Sequence, residues 1–155
     1  MMPARQVSAV RCGEDLRAYF LGVWHLARTI EDRRDQRHGF LRGSAVFEPD
    51  SLDLCYHETG RLRLGSYAGA VAQHYRYTFP WPGHASVRFA DGRPFFDLEL
   101  SQGRSAFLHR CGADMYRGII EILDVSCFAM SWRVSGPRKD YVLRNRYRRR
   151  HVSAV

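Results

Sequence analysis

The sequence predicts an all-β fold, an up-and-down antiparallel barrel of about eight to ten strands that follows one short N-terminal helix. Three observations lead to this prediction. Apolar and polar residues alternate with a period of two in many short segments, and turn signals such as Asp91-Gly92 and Gly136-Pro137 separate those segments. No helical segment is long enough to connect parallel strands. An antiparallel sheet of this size commonly closes on itself, because closure removes its exposed edges.

The 155 residues and the 45% hydrophobic content fit one ordered domain. We expect a flexible N-terminus over residues 1–13, a barrel domain over 14–147 and a basic tail over 148–155. Because the sequence contains neither a secretory apolar run nor a segment of membrane-spanning length, we expect a cytoplasmic protein. Its oligomeric state is left open between monomer and homodimer. The cysteines form no CxxC pair, which argues against a zinc knuckle or a disulfide framework, and they stand at Cys12, Cys55, Cys111 and Cys127.

The formal net charge is +8, and nearly all of it comes from arginine, since Lys139 is the only lysine. Arginine bias is typical of GC-rich genomes, so the number of arginines alone is weak evidence for nucleic-acid binding. A protein of this charge nevertheless attracts anions.

The first elements follow from spacing. Leu16, Tyr19 and Phe20 stand at i, i+3 and i+4, which predicts a short helix over Asp15–Leu21. Alternation then predicts a first strand over Gly22–Ile30, with Trp24, Leu26, Arg28 and Ile30 on one face. A charged connection, residues 31–39, is expected to lie in solvent.

The middle of the chain is predicted to form strands at 40–47 and 52–56, a turn at Thr59-Gly60, and strands at 61–65 and 71–79. The Asp91-Gly92 turn predicts a hairpin that pairs Val87 with Phe96 and Ala85 with Leu98. In that register Phe95 is the one large apolar residue expected on the polar face of the hairpin. The last strands cover 105–123 and 128–134 and the segment around Tyr141–Tyr147, and we expect the chain to fray from Arg144.

A second hairpin carries most of the chemically active side chains. If Gly112-Ala113 is its two-residue turn, Cys111 faces Asp114 and His109 faces Tyr116, so all four project from one face. They are the candidate catalytic residues: Asp114 orients the imidazole of His109, Tyr116 donates a proton, and Cys111 is either a nucleophile or a small buried hydrophobe. The alternative is a hydrogen-bonded network without chemistry. No metal-ligand spacing is convincing, and no cofactor is expected, with haem ligation by His109 as the alternative.

Several motifs occur in a fixed order, namely GxWxxxRxI at 22–30, YxExG at 56–60, YRY at 75–77, FxDGRxF at 89–95, HxCxxDxY at 109–116 and WxVxGPRKxY at 132–141. This series resembles the bacterial family catalogued as domain of unknown function 6314, from about Leu21 to Tyr147. The resemblance implies a small calycin-like (lipocalin-like) barrel and no established reaction. In calycin-like barrels an arginine stacks over the tryptophan of the first strand, and Arg138, Arg144 or Arg146 is expected to do so here. Trp24 either closes the barrel in this way or contacts a ligand.

Arg28 is the most informative interior candidate, because a buried arginine requires a partner. That partner is either a protein carboxylate, Glu58 or Asp114, or the carboxylate or phosphate of a ligand. The Arg138-Lys139 turn is either a solvated hairpin or an anion gate at the barrel mouth. The complete set of predicted ligand contacts is Trp24, Arg28, Tyr56, Glu58, Tyr75, Tyr77, Trp132, Arg138 and Lys139.

We therefore expect a barrel that binds a small organic anion or an acyl compound. An enzymatic version would catalyse a cofactor-independent isomerisation, cyclisation, dehydration or hydrolysis, with His109 and Tyr116 exchanging protons and Arg28 fixing an oxyanion. A competing hypothesis is nucleic-acid binding through the basic segment Arg144–Arg150, with Tyr147 stacking on a base. A third is a packed barrel that serves only as an interaction module.

Overall fold

The computed structural model describes residues 15–151, which form one ten-stranded antiparallel sheet and one short helix. The helix, α1, spans Leu16–Phe20 and is capped by Asp15, whose carboxylate accepts a hydrogen bond from the Ala18 amide at 2.9 Å. No helix within the described residues is long and apolar enough to cross a membrane. The strands are β1 Gly22–Asp32, β2 Arg37–Asp50, β3 Asp53–Leu64, β4 Tyr67–Thr78, β5 His84–Phe89, β6 Pro94–Glu99, β7 Arg104–Cys111, β8 Asp114–Asp124, β9 Cys127–Gly136 and β10 Lys139–Arg149.

The sheet curls into a nearly closed barrel, in the order β6-β5-β4-β3-β2-β1-β10-β9-β8-β7. Consecutive strands pair with each other except β6 and β7, and β1 pairs with β10 from Trp24↔Arg149 to Asp32↔Tyr141. The predicted calycin-like up-and-down barrel with a short N-terminal helix is therefore confirmed.

The barrel has a seam between β6 and β7, the edge strands of the described sheet. Side chains close this seam in place of a backbone ladder. The rings of Phe96 and Phe107 stack with centroids 4.3 Å apart, and the Glu99 amide donates to the Ser105 hydroxyl at 3.0 Å.

Both predicted hairpin registers are confirmed. Cys111 pairs with Asp114 and His109 with Tyr116. Gly112 has φ of +60°, as the first central residue of a type II′ turn requires.

A β-bulge explains the anomalous position of Phe95. Val87 pairs with Phe96 as predicted, but the next residue, Arg88, pairs with Pro94, so Phe95 is the extra residue on β6. A bulge re-aims a side chain, and here the Phe95 ring stacks on Phe89 at 4.3 Å between centroids. Phe95 therefore lies among the aromatic residues at the barrel mouth and not with the polar outer set.

The predicted turn at Thr59-Gly60 is wrong, because β3 continues without interruption through Leu64. Gly60 instead lies opposite Gly43 in the β2–β3 ladder. A Cβ atom on Gly43 would stand 1.9 Å from the Thr59 carbonyl oxygen, and one on Gly60 would stand 2.8 Å from the Arg42 carbonyl oxygen. These glycines permit a close approach of two strands where the sheet curls.

Two expectations about charged segments are also wrong. The connection between β1 and β2 is short, and Asp32 is buried at the end of β1, where its carboxylate accepts from Arg37 Nη2 at 2.7 Å. The basic segment does not fray from Arg144, because β10 continues to Arg149 in register with β1 and β9. The expectations for residues 1–13 and Cys12 lie outside the described residues.

An aromatic cluster fills the end of the barrel next to α1, which we call the closed end. The Trp24 indole nitrogen donates to the Phe20 carbonyl at 2.8 Å, and the Phe128 ring lies edge-on to the indole at 4.8 Å. Arg149 covers this cluster, with its guanidinium carbon 4.2 Å from the Trp24 ring centroid. The closing arginine is therefore Arg149 and not Arg138, Arg144 or Arg146.

Arg149 also hydrogen-bonds the backbone around the closed end. Its guanidinium donates to the carbonyl oxygens of Tyr19 at 2.6 Å, Leu21 at 3.2 Å and Val125 at 3.2 Å. It thereby connects α1, β1 and the β8–β9 turn. A cation–π contact and several charge-assisted hydrogen bonds act through one side chain.

We predict that Arg149→Met lowers the free energy of unfolding by about 2 kcal/mol, because it removes the cation and leaves carbonyl oxygens without their donor. Urea unfolding followed by circular dichroism measures this change. Arg148→Met is the matched control, since Arg148 is the exposed neighbour on the same strand. Equal losses in the two variants would contradict the closing role of Arg149.

Candidate functional site

A cavity of about 160 Å³ lies inside the barrel, between the closed end and the opposite end, which we call the mouth. Its walls are mainly aromatic, with a few polar side chains. The lining residues are Arg28, Tyr56, Glu58, Gln73, Tyr75, Tyr77, Phe95, Phe96, Tyr116, Met130, Trp132, Val134, Leu143, Asn145 and Tyr147. Ligand sites in proteins commonly combine apolar walls with a small number of polar groups.

An ion pair between Arg28 and Glu58 lies at the floor of this cavity. Arg28 Nη1 donates to Glu58 Oε2 at 2.8 Å and Nη2 donates to Oε1 at 3.0 Å, so the contact is bidentate. The side chains are 13% and 3% exposed. Of the two partners that the sequence left open for a protein salt bridge, Glu58 is the one that the structure pairs with Arg28.

Neighbouring groups satisfy the rest of the pair. Arg28 Nε donates to the Asn145 side-chain oxygen, and the Asn145 amide nitrogen donates to the Met130 carbonyl at 2.9 Å. The Tyr56 hydroxyl donates to Glu58 at 2.7 Å and lies 3.0 Å from the Tyr147 hydroxyl. Three strands, β1, β3 and β10, thus contribute side chains to one buried polar network, which we call the floor network: Arg28, Tyr56, Glu58, Asn145 and Tyr147.

By itself, burial lowers the pKa of an arginine and raises the pKa of a tyrosine. Loss of hydration disfavours the charge on Arg28, but the hydrogen bonds and the attraction of Glu58 outweigh it and raise the Arg28 pKa. Burial raises the pKa of Tyr147 to about 12 and raises that of Tyr77 well above its usual value. The floor therefore presents an ion pair whose two charges balance, together with tyrosine hydroxyl groups that keep their protons at neutral pH.

The mouth carries a different polar group. Lys139 Nζ lies 3.1 Å from the Asp114 carboxylate and 3.3 Å from the Tyr116 hydroxyl, and the Tyr116 ring lines the cavity. The hydrogen bond to Asp114 raises the pKa of Lys139, so the amine is charged at neutral pH. Lys139 is 40% exposed and Asp114 22% exposed, so this ammonium group is accessible from solvent.

The predicted catalytic set is brought together only in part. Asp114 contacts Lys139, not the His109 ring, so the proposed orientation of His109 by Asp114 is wrong. His109 is half-buried beside the mouth, with its ring 5.0 Å from Phe95 and 5.9 Å from Tyr116. Cys111 is exposed at the hairpin turn.

The predicted ligand contacts divide between the cavity and other places. Arg28, Tyr56, Glu58, Tyr75, Tyr77 and Trp132 line the cavity, and Lys139 lies at its mouth. Trp24 is fully buried in the closed end and does not line the cavity. Arg138 is exposed on the β9–β10 turn. The haem alternative at His109 stays a hypothesis, and residues 15–151 contain no group of three or more potential metal ligands.

Sequence reasoning missed two kinds of cavity residue. Asn145 is the only asparagine in the chain and lies two residues from both Leu143 and Tyr147, on the same inward face of β10. This spacing was a signal for its interior position. Phe95 enters the site through the bulge, which shifts its expected face. Its ring is nearly parallel to that of Trp132, at 14° and 5.4 Å between centroids.

We predict that Glu58→Gln lowers the free energy of unfolding by about 3 kcal/mol, because the charge of Arg28 then stays buried without a carboxylate. The double variant Arg28→Gln/Glu58→Gln should lose less than the sum of the two single variants. Urea unfolding of all four proteins gives this coupling. Additive losses would contradict a coupled pair.

The fold is similar to several solved structures. An S-type phycobiliprotein lyase, CPES from Guillardia theta, aligns with a TM-score of 0.66 at 5% identity, over 99% of this chain and 99% of the lyase. Rv2717c from M. tuberculosis aligns with a TM-score of 0.51 at 12% identity, over 89% and 98% of the two chains. EF1p2_mFAP2b bound to DFHBI aligns with a TM-score of 0.50 at 14% identity, also over 89% and 98%. At these identities the likeness shows the fold alone.

Sequence comparison gives a more specific relationship. No curated protein matches the chain. The family described as a family of unknown function, DUF6314, matches residues 20–149, which include every strand from β1 to β10. The chain therefore belongs to the DUF6314 family.

Proposed function

We propose that the barrel binds a small, flat organic molecule that carries a carboxylate or another acyl oxygen. The observation that carries this proposal is the cavity itself, whose aromatic walls stand over a floor of satisfied polar groups. Tyr75, Phe95 and Trp132 provide ring faces and edges for a conjugated or aromatic ligand. The aromatic walls thus favour the ring system of the ligand.

The anionic end of the ligand is assigned to the mouth. Both cations have a carboxylate partner, but Glu58 binds the guanidinium fork of Arg28 in a bidentate contact and Arg28 is only 13% exposed. Lys139 meets Asp114 through one contact and is 40% exposed, so its ammonium group can accept a further anion. Lys139 provides an accessible cation, and Tyr116 provides a hydroxyl group on the cavity wall. Arg28 then shapes and neutralises the floor, and Lys139 replaces it as the anchor for the anion.

Two proteins with a similar fold support ligand binding in general terms. One is described as bound to DFHBI, and the other is a phycobiliprotein lyase. A barrel of this kind has space for one small ligand along its axis.

The contact between Lys139 and Tyr116 also favours an enzymatic version of the proposal. A hydroxyl group on the cavity wall that hydrogen-bonds an ammonium group is placed to donate a proton to a bound ligand and to recover one from solvent. The reaction classes are those that need no cofactor: isomerisation, cyclisation, dehydration or hydrolysis. Tyr116 and Lys139 carry this version, with His109 beside the mouth as a secondary candidate.

The binding proposal is tested with two fluorescent probes, the anionic 8-anilinonaphthalene-1-sulfonate and the neutral N-phenyl-1-naphthylamine. We predict that the double variant Asp114→Asn/Lys139→Met binds the anionic probe about fivefold more weakly than the single variant Asp114→Asn, because it lacks one partly exposed charge-assisted contact. The neutral probe should bind both variants equally. The Asp114→Asn background avoids an unpaired carboxylate at the mouth.

Arg138→Met is the matched control, because it removes an exposed cation from the same turn. It should change the affinity of either probe by less than about twofold, since exposed charges in water interact weakly. If Arg138→Met weakens the anionic probe as much as the loss of Lys139 does, the anion is not bound at Lys139. If neither probe binds, the cavity is not a site for a flat organic ligand.

A further inference from the structure

The outer surface of the barrel carries a concentration of arginines that the cavity does not use. They lie on β3 and β2 on one side of β1 and on β10, β9, β8 and β7 on its other side, and all of them are exposed. We call this surface the basic face, and its arginines are Arg42, Arg61, Arg63, Arg104, Arg117, Arg133, Arg144 and Arg146.

The strand register arranges these arginines around small residues. Arg146 lies between Ala27 on β1 and Ala129 on β9. Arg144 lies in the same way between Thr29 and Ser131. Because short side chains leave the sheet surface open between long ones, the face contains two shallow depressions of about 530 and 730 Å³.

Few carboxylates neutralise the basic face. Arg144 lies 3.8 Å from Glu31, Arg104 lies 4.0 Å from Glu121, and Arg133 pairs with Asp140. Within residues 15–151, no carboxylate lies within ion-pair distance of the others, which are Arg42, Arg61, Arg63, Arg117 and Arg146.

The other side of the barrel differs. Arg76 pairs there with Asp50 and Asp53, and Arg93 pairs with Asp91. A general preference for arginine would raise the number of arginines on both sides of the barrel. On β4–β6 and their turns, Arg88 is the one arginine without a carboxylate of the described residues within ion-pair distance, whereas five such arginines lie on the basic face. This excess of unpaired cations indicates a large anionic partner.

Exposed apolar side chains accompany the cations. The ring of Phe40 on β2 is 48% exposed and lies between Thr29 and Arg63 in the ladder. Leu108 and Ile119, on β7 and β8, are also exposed. Cations beside an exposed aromatic ring match what a single strand of nucleic acid presents, namely phosphates and unstacked bases.

We infer that the basic face binds single-stranded nucleic acid, with its phosphates on Arg42, Arg144 and Arg146 and a base stacked on Phe40. Neither Phe40 nor any arginine of the basic face lines the cavity, so the inference does not depend on the proposed ligand. Tyr147 does not take the stacking role, because it is buried against Phe128 with centroids 4.3 Å apart. A duplex fits less well, since the face has no protruding helix or ribbon to enter a groove.

Fluorescence anisotropy with a labelled single-stranded RNA of about 16 nucleotides tests the inference. We predict that Arg144→Gln/Arg146→Gln weakens RNA binding at least about tenfold. The slope of the logarithm of the binding constant against the logarithm of salt concentration should become shallower by the amount that about two phosphate contacts contribute. Phe40→Ala should weaken binding about fivefold without changing the salt dependence, because stacking releases no counterions. Phe40→Tyr should restore the affinity.

The matched control is Arg88→Gln/Arg93→Gln, which removes the same charge from the β5–β6 hairpin on the other side of the barrel. It should leave the affinity within about twofold of the original. Equal weakening by both double variants would show diffuse attraction to a cationic protein and overturn the site.

Two further outcomes would also overturn the inference. One is the absence of binding at low salt. The other combines two results: heparin or duplex DNA of equal charge competes as well as the single strand, and Phe40→Ala has no effect on binding. Together these results would identify a different polyanion as the partner. Unfolding midpoints of all variants confirm that the changes are local, since every altered side chain other than Arg88 is exposed.

Discussion

The buried pair of Arg28 and Glu58 is the constraint on which the interior of this barrel depends. Two charges withdrawn from water are tolerated only when their hydrogen-bonding capacity is met. Here that requirement fixes Asn145 on β10 and Tyr56 on β3 relative to β1. The pair thus links strands that are not all neighbours in the sheet, and it forms the floor of the cavity. The aromatic groups above it can then serve binding, because the polar groups below are already satisfied.

Much of the fold could be predicted because it depends on local rules. Alternation identified the inward face of β1, and turn chemistry fixed the registers of the Asp91-Gly92 and Gly112-Ala113 hairpins. Prediction failed where a residue acts through a distant contact. Gly60 was interpreted as a turn because its close approach to Gly43 depends on the curl of the whole sheet. Arg149 was missed as the closing arginine because only the length of β10 brings it over Trp24.

The candidate site followed the same division. The motif residues Arg28, Tyr56, Glu58, Tyr75, Tyr77 and Trp132 were placed in the cavity, since motif and alternation agreed there. The expected pairing of Asp114 with His109 failed, because proximity along a hairpin does not determine which neighbour a carboxylate prefers. The Asp114 carboxylate pairs with Lys139, the first residue of β10, at 3.1 Å. The entry of Phe95 depended on one extra residue in β6, which alternation cannot locate.

The order of strands in the sheet has a consequence for how the chain becomes a barrel. All neighbouring strands except one pair are joined by short local connections, and that one pair is β1 and β10. Hairpins form quickly, whereas a ladder between distant segments must first overcome the entropy of closing a long loop. During synthesis, the strands from β1 to β9 emerge before β10, the second partner of β1, exists. The floor network is completed by β10, so Arg28 receives Asn145 and Tyr56 receives Tyr147 only at this last step.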